Sequence, residues 1–285
     1  MKNKIAIVPD GLYSWSNAEY HAHREILGHS MAIEVIRHPQ RLARALTHHA
    51  EPTPAQLKGS IWHSYMLEDG KDVEFLDYAD FRTKEAKTAR ETALAEGKYP
   101  LLVKDRAELD QAKTVLHANP KIRELLEHPK GKPEVSLVVT DLATGVQIKA
   151  RPDWLIENNG QITIVDYKTT SDGTCEAFEK TAGVFGYFVQ VAWYKLTYSL
   201  LYPKISRKQI DFLFLAQETD PPYAAYLHRI DMDSEAMGYI WADQAMRLWQ
   251  AHGGGNPDAW PPSAPEITQI IVPTWATRLP EGSLA

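Results

Sequence analysis

Residues 146–170 read VQIKARPDWLIENNGQITIVDYKTT, and this stretch decides the fold. Apolar and polar residues alternate in both halves, the period-2 pattern of β-strands. Asn158-Asn159-Gly160 separates the halves as a turn, since Asn and Gly accept the positive φ of a tight hairpin. In the second half, alternation puts Ile162, Ile164, Asp166 and Lys168 on one face. Asp166 and Lys168 therefore project side by side at the strand's end. Asp153 lies at the end of the preceding strand, across the hairpin. The hairpin can bring the two aspartates close enough to share a cation, which would relieve their mutual repulsion. Either aspartate alone would pass for an ordinary turn or strand-end residue.

The reading extends outward from there. Residues 135–142 (VSLVVTDL) form another strand, joined through Ala143-Thr144-Gly145, so a three-strand meander is expected. Residues 178–202 form a long, largely apolar and aromatic stretch and read as one buried helix, stopped by Pro203. Strands follow at 209–217 and 223–231, then a helix from Asp233 to His252. Upstream, residues 16–50 read helical, with Ser16 or Asn17 as a cap and Pro39 as a break. Residues 54–69 make a further helix, with Pro54 in its first turn. Residues 76–129 are charged and alanine-rich, with two helical stretches separated by Gly97 and Pro100. The expected architecture is α/β. One domain spans 1–252, helical to about residue 130 with its core at about 131–252; a Gly- and Pro-rich irregular arm covers 253–285.

Composition sets limits. The 285 residues are 44% hydrophobic and 24% charged, normal for a globular chain. The single cysteine, Cys175, excludes an intrachain disulfide and a cysteine-ligated iron–sulfur cluster. No stretch approaches the ~20 apolar residues of a membrane-spanning helix, and the start lacks a signal-peptide core. A cytoplasmic protein of a bacterial host, without a membrane partner, is expected. The net charge of −6 argues against a general polyanion binder but leaves room for a local basic channel. Basic residues bunch at Arg37, His38, Arg41, Arg44, His48 and His49, and at Lys121, Arg123, Lys130 and Lys132. On charge alone, either cluster reads as a solvated helix face.

Two carboxylates beside a lysine suit metal-assisted phosphodiester hydrolysis. Magnesium takes oxygen ligands and needs few from the protein, and a nearby lysine can orient water or stabilise developing charge. Asp153 followed by Asp166-Tyr167-Lys168-Thr169 resembles the PD-(D/E)XK nuclease signature, specifically its RecB-like branch. Gln190-x-x-x-Tyr194 and Gly59-x-x-x-His63 resemble that branch's other two elements, in the right order. The layout from about residue 12 to 250, including His29-Ser30, Arg37-His38-Pro39 and Glu134, resembles the exodeoxyribonuclease VIII (RecE-type) phage recombination exonucleases.

The resemblance implies a restriction-endonuclease-like core, a central mixed sheet flanked by helices. It implies a magnesium-dependent 5′-to-3′ exodeoxyribonuclease on double-stranded DNA ends, with manganese substituting. A homo-oligomeric ring and a single-strand annealing recombinase partner come with it. Asp153, Asp166, Lys168 and Glu134 carry over as catalytic residues, with His63, Asp153, Asp166 and the Tyr167 carbonyl as metal ligands. Gln190 and Tyr194 would contact the DNA strand or the active site. Arg24, Ser30 and Arg37 are candidates for phosphate contacts, since arginine forks match phosphate oxygens. Trp15, Trp62 and Tyr65 are candidates for stacking on a frayed base, with core packing the alternative. Two rivals stand: a single-strand or structure-specific nuclease of the same fold, and a DNA-binding module that does not cut.

Overall fold

The computed structural model describes residues 8–48, 52–261, 267 and 269. His49 of the first basic cluster, and the arm beyond Pro261 apart from Ile267 and Gln269, lie outside the described residues. In chain order the elements are β1 (Gly11–Tyr13), α1 (Asn17–Ala22), β2 (Leu27–Gly28), α2 (His29–Arg37), α3 (Leu42–Thr47), α4 (Pro54–Leu67), β3 (Val73–Leu76), α5 (Lys84–Ala95), β4 (Tyr99–Leu102), α6 (Arg106–Ala118) and α7 (Pro120–Leu126). Then follow β5 (Gly131–Pro133), β6 (Ser136–Thr140), β7 (Gln147–Ala150), β8 (Trp154–Asn158), β9 (Gln161–Thr170), α8 (Cys175–Phe185), α9 (Tyr187–Leu201), β10 (Ile210–Glu218), β11 (Ala225–His228) and α10 (Met232–Ala251).

A five-stranded sheet in the order β11-β10-β9-β8-β5 forms the centre. β9 runs parallel to β10 and antiparallel to β8, so the sheet is mixed. The α8–α9 segment makes the crossover that parallel pairing requires. β9 is buried on both faces, and its alternation sorts its side chains cleanly. Ile162 and Ile164 join a core with Val191, Trp193 and Met246 from α9 and α10. Val165 and Tyr167 join the opposite core with Ile61, Trp62 and Leu116 from α4 and α6. Leu27, Val35 and Leu42 from the N-terminal elements belong to the first core. This is the restriction-endonuclease-like arrangement of a mixed sheet between helices.

The expected meander differs from the structure. Its middle strand is two strands, β7 and β8, in different sheets. β7 pairs with β6 in a four-stranded sheet ordered β1-β6-β7-β2, whereas β8 pairs with β9. The break falls at Arg151-Pro152-Asp153, where Pro152 has no N–H to give a ladder. Asp153 thus stands just before β8 rather than at a strand's end. The expected single helix over 178–202 is also two helices. Gly186 sits between them at φ 71°, a left-handed conformation that ends α8. Its N–H bonds to the Ala182 carbonyl. The pair β3 and β4, a small parallel sheet, falls in a region that reads as helix and linker. Trp260, in the expected arm, is buried against Trp249.

The N-terminal helix starts follow their sequence signals. Ser16 and Glu19 form a reciprocal cap on α1, as Thr53 and Gln56 do on α4, where Pro54 fills the first turn. Gly59 lies where α4 meets β9; a Cβ there would stand 3.3 Å from the Thr169 hydroxyl. One turn on, His63 points from the same helix face.

Candidate active site

The β8–β9 register pairs Trp154 with Val165, which sets Asp153 beside the Asp166 position. Asp153 is held there through one oxygen: Oδ2 accepts the Tyr167 N–H at 2.8 Å. Oδ1 faces His63 Nε2 at 3.3 Å. Glu134 enters from the turn after β5. Its φ of 55° is unusual for a non-glycine residue, and its N–H bonds to the Asp153 carbonyl at 3.2 Å. Glu134 Oε1 stands 3.2 Å from the same His63 nitrogen, while Oε2 pairs with Arg151. Arg151 in turn donates to the Asn17 side chain at 3.2 Å.

Asp166 is 2% exposed. Its Oδ1 accepts from the Gln190 amide at 2.5 Å, and Oδ2 forms an ion pair with Lys168. The Lys168 ammonium also lies 5.2 Å from the centre of the Tyr187 ring. Burial, then the Asp153 charge, pushes the Asp166 carboxyl up to about 6. Burial acts likewise on Asp153, but His63, Lys168 and the Tyr167 N–H outweigh it and hold that carboxyl below its usual range. Burial pulls the His63 imidazole down; Asp153, Glu68 and Asp166 together raise it.

Two buried atoms of the site lack a well-formed hydrogen bond: His63 Nε2, which has only the Glu134 and Asp153 oxygens at 3.2 and 3.3 Å, and Asp166 Oδ2, which has only its ion pair with Lys168. Carboxylates packed this closely repel one another unless a proton or a cation lies among them. One imidazole nitrogen and three carboxylates are a donor set that suits a divalent cation. His63, Glu68 and Glu134 present ligand atoms within 4.8 Å of one another. The residues present therefore fit a metal ion.

Asp153, Asp166, Lys168, His63 and Glu134 come together. The Tyr167 backbone lies between Asp166 and Lys168, while its hydroxyl turns to the other face and donates to Gln217 at 2.7 Å. Gln190 and Tyr194 pack onto the site from α9. Both are buried, Gln190 on Asp166 and Tyr194 donating to the Arg151 carbonyl at 3.1 Å. The two arginines have structural duties. Arg24 donates to the carbonyls of Ala45 and Leu46 near the end of α3. Arg37 donates to Val184 at 2.5 Å and Gly183 at 3.0 Å at the end of α8. Ser30 is exposed in the first turn of α2, its hydroxyl 3.1 Å from His29 Nε2. Trp62 and Tyr65 are core residues, and Trp15 stacks between Tyr13 and His23.

Sequence reasoning missed Glu68, Arg151 and His29 as neighbours of the site. Burial and then the Lys168 charge press the His29 imidazole down to about 3, which keeps it neutral. His29-Ser30 was visible as a motif piece, and Arg151 flanks Asp153, but neither carried a role.

The mixed sheet and the acid–acid–lysine cluster define a PD-(D/E)XK-type protein. Residues 29–261 match the family described as a PDDEXK-like domain of unknown function (DUF3799), and the chain belongs to that family. The crystal structure of a candidate exonuclease from Eubacterium rectale is similar in fold, with a TM-score of 0.56 at 14% identity, covering 84% of this chain and 88% of that one. SSO0001 gives a TM-score of 0.28 at 14% identity, covering 73% and 83%, too low to bear on the fold. No curated protein matches the chain. Family and fold together support a nuclease. Among the described residues, no helix is long and apolar enough to cross a membrane.

Proposed function

We propose that the chain is a magnesium-dependent 5′-to-3′ exodeoxyribonuclease acting on double-stranded DNA ends. The observation that carries the hydrolase reading is the convergence of His63 Nε2, Asp153 Oδ1 and Glu134 Oε1 within 3.3 Å of the imidazole nitrogen, beside Asp166 and Lys168. Polarity, duplex preference, a ring of like chains and a single-strand annealing partner rest on the resemblance in motif order.

His63, Asp153, Asp166, Glu134 and the Tyr167 carbonyl would hold the ion. A bound divalent cation supplies Lewis-acid activation of water and neutralises charge on the phosphate. The chain's own residues do the rest. Gln190 fixes the Asp166 carboxylate so that Oδ2 faces the site. Lys168, kept charged by Asp166 and Asp153 despite its burial, sits ready to orient the attacking water and to stabilise charge on the phosphate. Arg151 aims Glu134, and Tyr194 holds the Arg151 backbone.

The test uses linear and circular duplex DNA with magnesium. Linear duplex should shorten from its 5′ ends while circles survive. EDTA or Asp166→Ala should stop the reaction. Degradation of single strands alone would replace the duplex reading, and wild-type rates in Asp166→Ala would overturn the site. Sedimentation of the protein with and without DNA checks the ring.

A further inference from the structure

We propose that Glu68 is a positioning residue for the cation site: it holds the proton of His63 on Nδ1, so that the Nε2 lone pair faces the ion. The inference rests on the metal-dependent reading above and adds a residue to it.

An imidazole binds a cation through one nitrogen, and the other then carries the hydrogen. The group opposite that second nitrogen decides which one it is. In His63 the two nitrogens face different surroundings. Nε2 looks at Glu134 Oε1 and Asp153 Oδ1, at 3.2 and 3.3 Å. Nδ1 looks at Glu68 Oε1, at 3.8 Å. At 3.8 Å the two are in ion-pair contact, and under this proposal they draw to hydrogen-bond length when the cation binds. The carboxylate of Glu68 has no solvent role, since its side chain is only 6% exposed.

The chain spends structure on putting it there. α4 stops at Leu67, and Glu68 begins a reversal through Asp69 and Gly70, both at positive φ. Ser64 ties the reversal down: its carbonyl takes the Glu68 and Gly70 N–H groups, and its hydroxyl takes the Asp72 N–H at 3.3 Å. The turn returns the Glu68 carboxylate beside a ring five residues earlier on the helix. Lys71 closes over its other oxygen, Oε2, which leaves Oε1 for the imidazole. Direct ligation by Glu68 is the competing arrangement. It lies on the Nδ1 side of the ring, whereas Nε2 lies on the side of Glu134 and Asp153.

Calorimetry with Mn²⁺ on the full chain without DNA, and nitrogen NMR of His63 with Mg²⁺ bound, test this. Wild type should bind Mn²⁺ and show the proton on Nδ1. Glu68→Ala should weaken Mn²⁺ binding about 10- to 100-fold and lose the Nδ1 preference. Glu68→Gln keeps a neutral acceptor and should restore most of the affinity and the Nδ1 proton. A proton on Nε2 in wild type overturns the inference without any variant. So does wild-type affinity in Glu68→Ala. Loss of affinity in Glu68→Gln equal to that in Glu68→Ala, with the Nδ1 proton unmoved, makes Glu68 a direct ligand and also overturns it. No Mn²⁺ binding by wild type removes the metal-dependent reading and the inference with it, whereas binding that survives Glu68→Ala removes the inference alone.

Discussion

The Gln190 amide donates to Asp166 Oδ1 at 2.5 Å, and both side chains are 2% exposed. This bond makes one oxygen of the carboxylate a fixed structural contact and leaves the other turned to the site. Gln190→Leu removes it with little change in side-chain size. The expected result is a 10- to 100-fold loss of nuclease rate or of Mn²⁺ affinity, the usual effect of losing a group that orients a ligand. DNA affinity at fixed salt should stay as in wild type, because the amide does not reach the surface. A variant that binds DNA weakly but holds Mn²⁺ normally would restore the DNA-contact role.

Lys168 separates rate from cation binding. It sits against Asp166 and near Tyr187 and offers no lone pair to an ion while protonated. Lys168→Met should cut turnover by at least 10²-fold, the scale for removing a charged group that stabilises a transition state. Mn²⁺ affinity should hold or rise, since a competing positive charge beside Asp166 is gone. Steady-state rates on linear duplex and calorimetry on the same preparation check both halves.

Much of this was legible in the sequence because strand alternation is strict. The period of two that sets Ile162 and Ile164 on one face necessarily carries Asp166 and Lys168 with them. The α4 signal, Pro54 in the first turn, was local and held. What was not legible depends on single residues overriding a pattern. Pro152 divides an apparently continuous strand between two sheets, and Gly186 divides an apparently continuous helix. Both interrupt runs whose apolar pattern does not change. The structural contacts of Arg24 and Arg37 were hidden for another reason. Composition shows a guanidinium, whereas only tertiary structure shows the helix-end carbonyls that engage it. Glu68 was hidden because its position depends on a turn that helical spacing does not describe.

Cation affinity should fall in acid. The Asp166 carboxyl stands at about 6, above its ordinary 3.8, and it must be ionised to hold a cation. Below about pH 6 the proton competes with the ion, so Mn²⁺ affinity should drop about tenfold per pH unit. His63, also raised, must lose a proton, which steepens the slope. For stability without a cation the sign is the opposite of a salt-bridged acid. A raised carboxyl costs nothing below its unfolded pKa and disfavours the fold increasingly as pH climbs from 3.8 to about 6. The rise in Tm produced by Mn²⁺ should therefore be large at pH 7.5 and small at pH 5. Equal shifts at both values would remove Asp166 from the ion's ligands.

Gly59 should tolerate one carbon and no more. A Cβ there meets only the Thr169 hydroxyl, at 3.3 Å, a contact that a few tenths of an ångström relieve. Alanine also favours a helix interior over glycine by about 1 kcal/mol. Gly59→Ala should therefore leave Tm within a few degrees of wild type and keep Mn²⁺ binding. Gly59→Leu puts a branched side chain between α4 and β9, where overpacking typically costs about 1–3 kcal/mol. The strand is fixed by partners on both sides, so the helix must yield. His63 rides on that helix one turn away and would move from Asp153 and Glu134. Mn²⁺ affinity should then fall further than stability alone explains, measured by calorimetry well below the melting transition. Full affinity in a folded Gly59→Leu protein would mean that the α4–β9 contact does not set the position of His63.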